Sequence, residues 1–491
     1  MIRTDVALLA LLASQGAGCA LPAGEPAAIM VGPGEDLAAI VAGAPEASRF
    51  LLEPGVYRQQ SIRPKNGQQF IGQKGVVLSG AMELGTWARQ PPFWVAEGLP
   101  RPLPFHGECA TGREICSRRE DLFVGGRLYR RVASRSELGP GAWYREKDRA
   151  WLADDPAGQP VELGVTPRAF DGEAKGVVLQ DLIVEKYASD AQEGAIFADR
   201  ARDWLLVDVT ARWNHGAGLS FGTGTRVQGG SFSHNGQLGI AGAGENAILD
   251  GVQIAFNNYA GYDSRWEAGG TKFWETRGLI VRNACVHHNE GPGLWTDNDN
   301  VDVLLEANLV FSNADEGIKH EISYDAVIRD NIVAGNGSGG LDAWLWGSQI
   351  LIQNSSNAEV YGNRVEVAAD FGNGIGVIHQ DRGGGALGPW GAAGNVIRDN
   401  TIIHLGSHGQ NGVVSDTGDP GFWAGNDNVF DGNSYIVPDG RRAYWTWHDR
   451  DGRWADLGRL GLEASGRLVV ERATPAPVSC EAPGRGGEPL R

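Results

Sequence analysis

The sequence repeats an asparagine that is followed four residues later by a glycine and then by an apolar residue. The repeat occurs at Asn214, Asn235, Asn257, Asn289, Asn313 and Asn336, at intervals of 21, 22, 32, 24 and 23 residues. Short stretches of alternating apolar and polar residues fill each interval, without helical periodicity between them. A period of this length made only of short strands predicts a parallel β-helix, in which each repeat forms one coil and buries its apolar face against its neighbours.

The repeated asparagines have a structural role in such a fold. Side chains at the same turn of successive coils lie about 4.8 Å apart, so each amide can bond to the next one and satisfy the polar groups of the turn. A second set precedes other apolar strand patterns, at Asn308, Asn331, Asn363 and Asn400. The long interval after Asn257 predicts a loop of about ten residues between Tyr262 and Lys272, a usual location for functional residues.

The segments outside the repeat suggest a domain organisation. Leu37, Ile40 and Val41 follow Gly34-Glu35-Asp36 at helical spacing and predict a short helix that caps the first coil. The sequence predicts four segments after the first 24 residues. Residues 25–80 form the cap and first coils, residues 81–168 an inserted β-rich subdomain, residues 169–440 the main β-helix with a Gly-rich insertion at 381–394, and residues 441–491 a C-terminal extension with a flexible tail.

The cysteines and the N-terminus bear on the compartment. Cys109 and Cys116 are close in sequence, and a local disulfide is predicted for them in an exported protein. Cys285 lies in an apolar strand pattern and is interpreted as a buried small hydrophobic residue. No cysteine or histidine spacing typical of a structural zinc site occurs in the sequence.

Residues 1–24 hold an early Arg3 and the apolar run from Val6 to Ala13, which is typical of a secretory signal peptide. The stretch Gly16-Ala17-Gly18-Cys19 is similar to a bacterial lipoprotein cleavage site, so Cys19 is a candidate lipid anchor. No later stretch has the roughly 20 apolar residues of a transmembrane helix. We therefore expect an extracytoplasmic monomer that is secreted, periplasmic or lipid-anchored at the cell surface.

The charge balance restricts the partners. A net charge of −17, from 43 Lys and Arg against 60 Asp and Glu, argues against nucleic acid or anionic lipid as the main partner. The sequence contains no P-loop, dinucleotide fingerprint, nucleophile elbow or zinc motif, and we expect no organic cofactor.

A family resemblance rests on the asparagine coils, the capping helix and two segments. These segments read GPGLWTDNDN at 291–300 and EGIKHEISYDAVIRDN at 316–331. Together they resemble the right-handed parallel β-helix repeat proteins of the pectin-lyase-like superfamily, over roughly three quarters of the chain. The resemblance implies an all-β, right-handed parallel β-helix. It is less specific for the reaction, because the superfamily includes polysaccharide lyases, uronan epimerases, glycoside hydrolases and phage tailspikes.

Aligning the repeats on their glycines predicts which side chains share the outer face of one strand. Two residues beyond the glycine, the column reads Ser220, Ala241, Asp263, Trp295, Lys319 and Asp342. Four residues beyond it, the column reads Gly222, Ala243, Arg265, Asp297, Glu321 and Trp344. This face is small in the first two coils and becomes charged and aromatic in the next four. The change is the main functional signal in the sequence.

Paired carboxylates are the first candidate chemistry. Asp297 and Glu321 fall in one column a coil apart, so their carboxylates are expected within about 5 Å, where one pKa rises unless a cation intervenes. That separation suits either a shared calcium ion or the pair of a retaining glycosidase. The diagonal pair of Glu321 and Asp342, about 8 Å apart, suits an inverting glycosidase. The alignment does not choose between them.

Elimination from a uronic acid chain is the second candidate chemistry. It requires neutralisation of the sugar carboxylate and a base for the neighbouring proton. The resemblance implies a lysine or arginine base, so Lys272 or Lys319 is the candidate base. Asp297, Asp299 and Glu321 are then the candidate ligands of a calcium ion.

Substrate contacts and structural alternatives complete the set. The candidate substrate-binding residues are Arg265 and Asp263, together with Trp295 and Trp344 as platforms for a pyranose ring. Each feature also has a structural interpretation: a polar turn at residues 297–300, a solvated ion pair at Lys319, an inward-facing His320 and packed tryptophans.

The leading functional hypothesis is an exported enzyme that cleaves or epimerises an extracellular uronate-containing polysaccharide. The first alternative is a glycoside hydrolase that uses Asp297, Glu321 or Asp342 as acid and base. The second alternative is a non-catalytic β-helix that binds glycans or has a structural role at the surface.

Overall fold

The computed structural model describes residues 28–341 and 343–480, and it shows a right-handed parallel β-helix. Each coil contributes one strand to each of three long sheets, which hold 13, 13 and 12 strands. Successive coils pair in parallel register over most of this length, so equivalent residues stack along the axis. The fold expected from the repeat is confirmed.

The strands of the first sheet, in their order along the axis, are Ile29–Val31, Arg49–Leu52, Gln69–Gly72, Val178–Gln180, Leu205–Val207, Arg226–Gln228, Ile248–Asp250, Ile280–Arg282, Val303–Glu306, Tyr324–Arg329, Ser356–Tyr361, Val396–Arg398 and Val429–Asp431. The strands of the second sheet are Gly55–Arg58, Val76–Ser79, Ile183–Glu185, Thr210–Arg212, Ser231–Ser233, Gln253–Ala255, Cys285–His287, Leu309–Phe311, Ile332–Ala334, Arg364–Val367, Thr401–His404, Ser434–Val437 and Arg467–Val470.

The strands of the third sheet are Phe170–Asp171, Gly194–Phe197, Ala217–Phe221, Leu238–Glu245, Gly269–Arg277, Leu294–Asp297, Ile318–Glu321, Ser348–Gln353, Asn373–His379, Asn411–Ser415, Trp445–Trp447 and Arg450–Gly452. The last of these pairs antiparallel to its neighbour. The helices are Leu37–Gly43, Ser264–Glu267, Pro420–Gly425 and Trp454–Leu457, with 3₁₀ turns at Arg135–Glu137 and Gly458–Leu460.

The core fills the space between the three sheets with stacked aliphatic side chains. In the first sheet the buried stack consists of Leu249, Val281, Leu305, Ile328 and Val360, which are register partners from coil to coil. A coil buries this row only when another coil lies above and below it, so the fold requires the full stack. The helix Leu37–Gly43 covers the first coil with Leu37 and Val41 buried, and the Asp36 side chain accepts a hydrogen bond from the Ala39 amide as its N-cap.

Both predicted asparagine columns are present as hydrogen-bonded ladders. From Asn214 to Asn336, each Nδ2 donates to the Oδ1 of the next asparagine at 2.8–3.1 Å, and the ladder ends on Gln349 Oε1. The second ladder continues from Asn308 through Asn400 to Asn433. Each ladder asparagine also donates to a backbone carbonyl, as Asn289 does to Ile254 at 3.1 Å. The ladders therefore satisfy buried turn groups that water does not reach.

An eight-stranded sheet occupies the chain between Ala81 and Gly164 and has its own apolar core around Trp143 and Leu152. Its strands, in sheet order, are Ala81–Glu83, Val161–Gly164, Leu122–Val124, Arg127–Val132, Ala142–Glu146, Arg149–Leu152, Phe93–Glu97 and Ala88–Gln90. Within this segment Cys109 and Cys116 form a disulfide. The Asp121 carboxylate connects the segment to the coils, through His215 Nδ1 at 2.9 Å and the Tyr259 hydroxyl at 2.6 Å.

The interpretation of Cys285 as an unpaired hydrophobic residue is wrong. Cys285 forms a disulfide with Cys480, 195 residues further along the chain. The segment after the last strand of the second sheet runs back along the coils, where the Ala476 amide donates to Glu366 Oε2. A pairing at this separation leaves no signal in the local pattern around either cysteine. The predicted signal segment 1–24, with Cys19, and the end of the predicted tail lie outside the described residues. None of the described helices has the length and hydropathy needed to cross a membrane.

Replacing one ladder asparagine tests the role of the ladder. Asn289→Ala would remove the side-chain acceptor of the Asn257 backbone and side-chain amides, and the side-chain donor to the Ile254 carbonyl and Asn313 Oδ1. We expect the free energy of unfolding, measured by urea denaturation, to fall by about 1–3 kcal/mol. Gln180→Ala removes an amide that donates to Asp181 at the surface and should change it by less than about 0.5 kcal/mol. Equal effects of the two changes would contradict the ladder's role.

Candidate active site

The candidate site lies on the outer face of the third sheet, where three successive coils contribute charged side chains. Trp295 is the register partner of Lys319, and Asp297 is the register partner of Glu321, as the repeat predicted. Phe273 pairs with Thr296, which places Lys272 beside Trp295. The alternate residues of these strands, such as Leu294 and Ile318, lie in the core. The alternation of the strands therefore directs five polar or aromatic side chains outward: Lys272, Trp295, Asp297, Lys319 and Glu321.

The predicted columns are wrong on either side of these coils. The partner of Ala241 is Lys272, not Asp263, and the partners of Lys319 and Glu321 are Leu351 and Gln353. Extra residues enter between Asn257 and the strand that begins at Gly269, and again between Asn336 and Gln349. Gly261 and Gly340 therefore match the repeat pattern without occupying the equivalent place in the coil.

These insertions relocate several candidate residues. Asp263 caps the short helix Ser264–Glu267 and pairs with Arg265, whose side chain is 71% exposed. Neither belongs to the charged column. Trp344 packs with Trp346 on an apolar cluster formed by Leu345, Leu351, Ile378 and Val414. Asp342 lies outside the described residues, so the diagonal pair with Glu321 stays a prediction.

Trp295 is not an open platform for a sugar ring. The residue is only 2% exposed, and its ring lies against the ammonium groups of Lys272 at 4.1 Å and Lys319 at 4.7 Å. Its Nε1 donates to Glu321 Oε2 at 3.1 Å. The indole therefore separates and orients the two lysines by cation–π contacts.

Lys272 connects two carboxylates. Its Nζ lies 2.7 Å from Glu267 Oε1 and 2.7 Å from Asp297 Oδ2. Glu267 ends the short helix in the loop after Asn257, so this insertion brings a carboxylate that the aligned repeats could not predict. Burial raises the pKa of Glu267, with Lys272 opposing the shift.

Glu321 is held by two cations and an indole. Its Oε2 lies 2.8 Å from Lys319 Nζ, and its Oε1 lies 2.9 Å from Arg382 Nη1. Burial alone would raise the pKa of Glu321, but Lys319 and Arg382 lower it to about 2. Burial likewise opposes the charge of Lys319, yet Glu321 and Glu316 raise the pKa of this lysine. A lysine stabilised in its charged form is poorly suited to the role of general base.

Asp297 has the opposite electrostatic environment. Burial and the negative charge of Glu321 raise its pKa, while Lys272 opposes them. Its Oδ1 is buried and has no hydrogen-bond partner within the described part of the chain. The two register partners therefore differ: Glu321 remains ionised, and Asp297 has a higher proton affinity and one unpaired oxygen.

The three candidate calcium ligands do not converge. Asp299 turns towards the Gly-rich insertion, where its Oδ1 accepts from Trp390 Nε1 at 2.9 Å and its Oδ2 accepts from the Ala386 amide at 3.2 Å. Asp297 and Glu321 are already paired with lysine and arginine. Among the described residues, the carboxylates of Asp297, Asp299 and Glu321 form no common cluster with metal-binding spacing. The side chains as they are arranged do not fit a shared calcium ion.

A cavity of about 370 Å³ opens next to Asp297. Its apolar wall consists of Leu238, Ala241 and Trp274, and its polar wall of Gln192, Glu267, Lys272, Asp297 and Asn298. An aromatic wall opposite acid groups and amides is suited to a sugar, whose C–H face packs on a ring while its hydroxyls bond to polar groups. Sequence reasoning missed Trp274, although it lies two residues beyond Lys272 on the same face.

His320 is inward-facing, as its structural interpretation stated. It is fully buried, and its Nδ1 lies 2.8 Å from Thr296 Oγ1. Burial lowers its pKa to about 4, so it is neutral at physiological pH. A buried, neutral histidine between two core layers does not reach the outer face of the sheet.

Comparisons with known proteins agree with the fold. Residues 194–356 match the family model described as right handed beta helix region. The solved structure of XylC with xylose is similar with a TM-score of 0.63 and 11% identity, over 89% of this chain and 83% of that one. The A-module of the Azotobacter vinelandii mannuronan C-5 epimerase AlgE6 is similar with a TM-score of 0.49 and 12% identity, over 90% and 94%. No curated protein sequence matches this chain.

The chain thus folds as a right-handed parallel β-helix, the fold that the family resemblance implied. At these identities the likeness shows the fold alone. The activity must be argued from the side chains of the site.

The charge state of Glu321 predicts a pH dependence of stability. A pKa lowered from 4.5 to about 2 stabilises the fold above pH 4.5, and this stabilisation is lost as the pH falls towards 2. Glu321→Gln should therefore lower the melting temperature at pH 7, and its deficit relative to the wild type should shrink between pH 4.5 and pH 2. Glu359→Gln, at an exposed pair with Arg398, should show no such trend. A deficit that does not change with pH would refute this assignment.

Proposed function

We propose that the protein is a carbohydrate-active enzyme that hydrolyses glycosidic bonds of an extracellular polysaccharide or its fragments, with Asp297 and Glu321 as the reacting carboxylates. The observation that carries the proposal is the opposed environment of these two register partners. Glycosidases use two carboxyl groups in different protonation states, and unequal surroundings are the means by which proteins create that difference.

The register also supports a stereochemical outcome. Equivalent positions in neighbouring coils are about 4.8 Å apart, close to the roughly 5–5.5 Å between the carboxyl groups of retaining enzymes. Inverting enzymes hold the two groups further apart, about 6.5–9.5 Å, to admit a water molecule. We therefore propose hydrolysis with retention, through a glycosyl-enzyme intermediate that water then cleaves.

The cavity provides the substrate contacts for this chemistry. Asp297 lies in its wall, which places its carboxyl group beside a sugar bound in the cavity. Trp274 supplies the aromatic surface, and Gln192 and Asn298 supply amides for hydroxyl groups. XylC has been solved with xylose, so xylosides are reasonable members of the first substrate panel, beside hexosides and uronides.

The cations of the site favour a neutral sugar over a uronate. Lys272, Lys319 and Arg382 are each paired with a carboxylate of the protein, so a substrate carboxylate would have to displace one of them. With a net charge of −17, the protein would also repel a polyanion at long range. Elimination with Lys272 as base is the second candidate, because Lys272 lines this cavity beside Asp297.

The proposed compartment is extracytoplasmic. Two disulfides, Cys109–Cys116 and Cys285–Cys480, support an oxidising environment, in line with the signal-like segment at residues 1–24. An extracellular glycan would be accessible there. The lipid anchor at Cys19 remains a prediction.

The carboxylate pair can be tested with a glycan panel. Reducing ends should appear without an increase in ultraviolet absorbance, because hydrolysis creates no double bond. Asp297→Asn and Glu321→Gln should each lower kcat by about 10²–10⁴-fold or more. Asp302→Asn changes a nearby exposed carboxylate that pairs with Arg277 and should leave kcat unchanged. Absorbance that rises with the reducing ends would replace the proposal with elimination.

The products distinguish the mechanisms further. Proton NMR of the first product should show the anomer of the substrate, and chelation with EDTA should leave the rate unchanged. With an activated aryl glycoside and azide, the variant that lacks the proton donor should give a glycosyl azide of the substrate's anomeric configuration, and the variant that lacks the nucleophile should give the inverted azide, which assigns the roles of the two carboxylates. Release of the inverted anomer would exclude the retaining pair.

A further inference from the structure

The Gly-rich insertion forms a small hairpin over the candidate site. The hairpin comprises residues 381–391, with two-residue strands at Gly384–Gly385 and Gly388–Pro389. It leaves the third sheet after the strand Asn373–His379. It reaches back across the sheet to the coil of Asp297, three strands away.

Two strands of two residues cannot hold such a segment in place by themselves. The Asp299 carboxylate accepts hydrogen bonds from the Ala386 amide and from Trp390 Nε1. The Tyr324 hydroxyl donates to the Gly388 carbonyl at 2.9 Å. A Cβ at Gly385 would overlap the Asp299 carboxylate, so the close approach requires glycine there. Asp299 and Tyr324 therefore hold the far end of the hairpin, while Asn354 holds its base through Gln380 and the Trp390 carbonyl.

The hairpin also carries a charged group into the site. Arg382, at its start, places Nη1 at 2.9 Å from Glu321 Oε1, while Lys319 holds the other oxygen. The register of the third sheet places Ile378 two strands from Glu321, and the start of the hairpin brings Arg382 into contact with its carboxylate. One of the two cations that hold Glu321 thus depends on a segment outside the regular coils.

We propose that Arg382 is a positioning residue for Glu321 and that the Asp299 anchor places it, so that docking of the hairpin completes and covers the carboxylate pair. The effect on turnover rests on the proposed function. The contacts that connect Asp299 to Glu321 through the hairpin do not rest on the proposed function, because they belong to the folded chain itself.

Hydrogen exchange of the full chain tests the link without any substrate. Asp299→Asn replaces one carboxylate oxygen by an amide donor and removes the charge, so one of the two N–H groups of the hairpin loses its acceptor and the other bond is weakened. It keeps a residue that tolerates the left-handed φ of 55°. We expect exchange at the Ala386 amide to accelerate by about tenfold or more. Asp302→Asn, at an exposed residue with the same φ of 55°, is the matched control and should leave this exchange unchanged.

The other end of the link has its own prediction. Glu321→Gln removes the charge that Arg382 contacts, so exchange in residues 383–390 should also accelerate. An unchanged rate in both Asp299→Asn and Glu321→Gln would overturn the proposal, since neither contact would then hold the hairpin.

A double-mutant cycle on kcat/KM tests the positioning role. Arg382→Ala and Asp299→Asn should each lower kcat/KM, by about 2-fold to 100-fold, and the double variant should be no worse than Arg382→Ala alone. Arg382→Lys should recover part of the loss. Additive effects would show that Asp299 does not act through Arg382. If no substrate of the panel is turned over, the proposed function fails, while the exchange experiment still decides whether the hairpin is anchored as proposed.

Discussion

The hydrogen-bonded register between successive coils is the constraint on which the rest of the structure depends. A coil of three short strands cannot form its own core, and its turns contain amides that water does not reach once the coils stack. The asparagine ladders satisfy those groups and fix the axial order at the same time, because each Nδ2 donates both to the next side chain of the ladder and to a backbone carbonyl of the preceding coil. A slip of one residue would leave the ladder unpaired and turn the aliphatic stack outward. The same register sets Asp297 beside Glu321.

The regular coils supply the carboxylate pair and two lysines that contact it, Lys272 and Lys319, and irregular segments add further charges. The loop after Asn257 contributes Glu267 next to Lys272, and the hairpin contributes Arg382 next to Glu321. The loop with the Cys109–Cys116 disulfide packs on Tyr262 and Ala268 and supports the first of these segments from outside. Buried charges are costly unless they are paired, and here the lysines and Arg382 contact carboxylates. The pKa of Asp297 is thereby raised, and the pKa of Glu321 is lowered.

The part of this arrangement that could be predicted from the sequence is the part that obeys the repeat. Between Asn289 and Asn313 the interval is a single uninterrupted coil. There the alignment correctly paired Trp295 with Lys319 and Asp297 with Glu321. It failed where a glycine stands four residues after an asparagine by coincidence, at Gly261 and Gly340, and where Gln349 replaces an asparagine at the end of the ladder. Contacts across the fold, such as Arg382 with Glu321 and Cys285 with Cys480, involve chain separations that no local pattern encodes.

The division between regular coils and inserted segments indicates how a β-helix can change its chemistry while its fold is retained. The coils keep a carboxylate pair in register at almost no conformational cost, because the ladders already hold every neighbouring residue in place. Whether that pair becomes a metal site, an acid and a nucleophile, or a solvated patch depends on which cations the coils and the insertions place beside it. In this chain Lys272, Lys319 and Arg382 pair with the carboxylates that a divalent cation would otherwise neutralise. Such an arrangement suits the cleavage of a neutral glycoside. The cations that could bind a uronate are already paired, and the carboxylates need no metal ion to balance their charge.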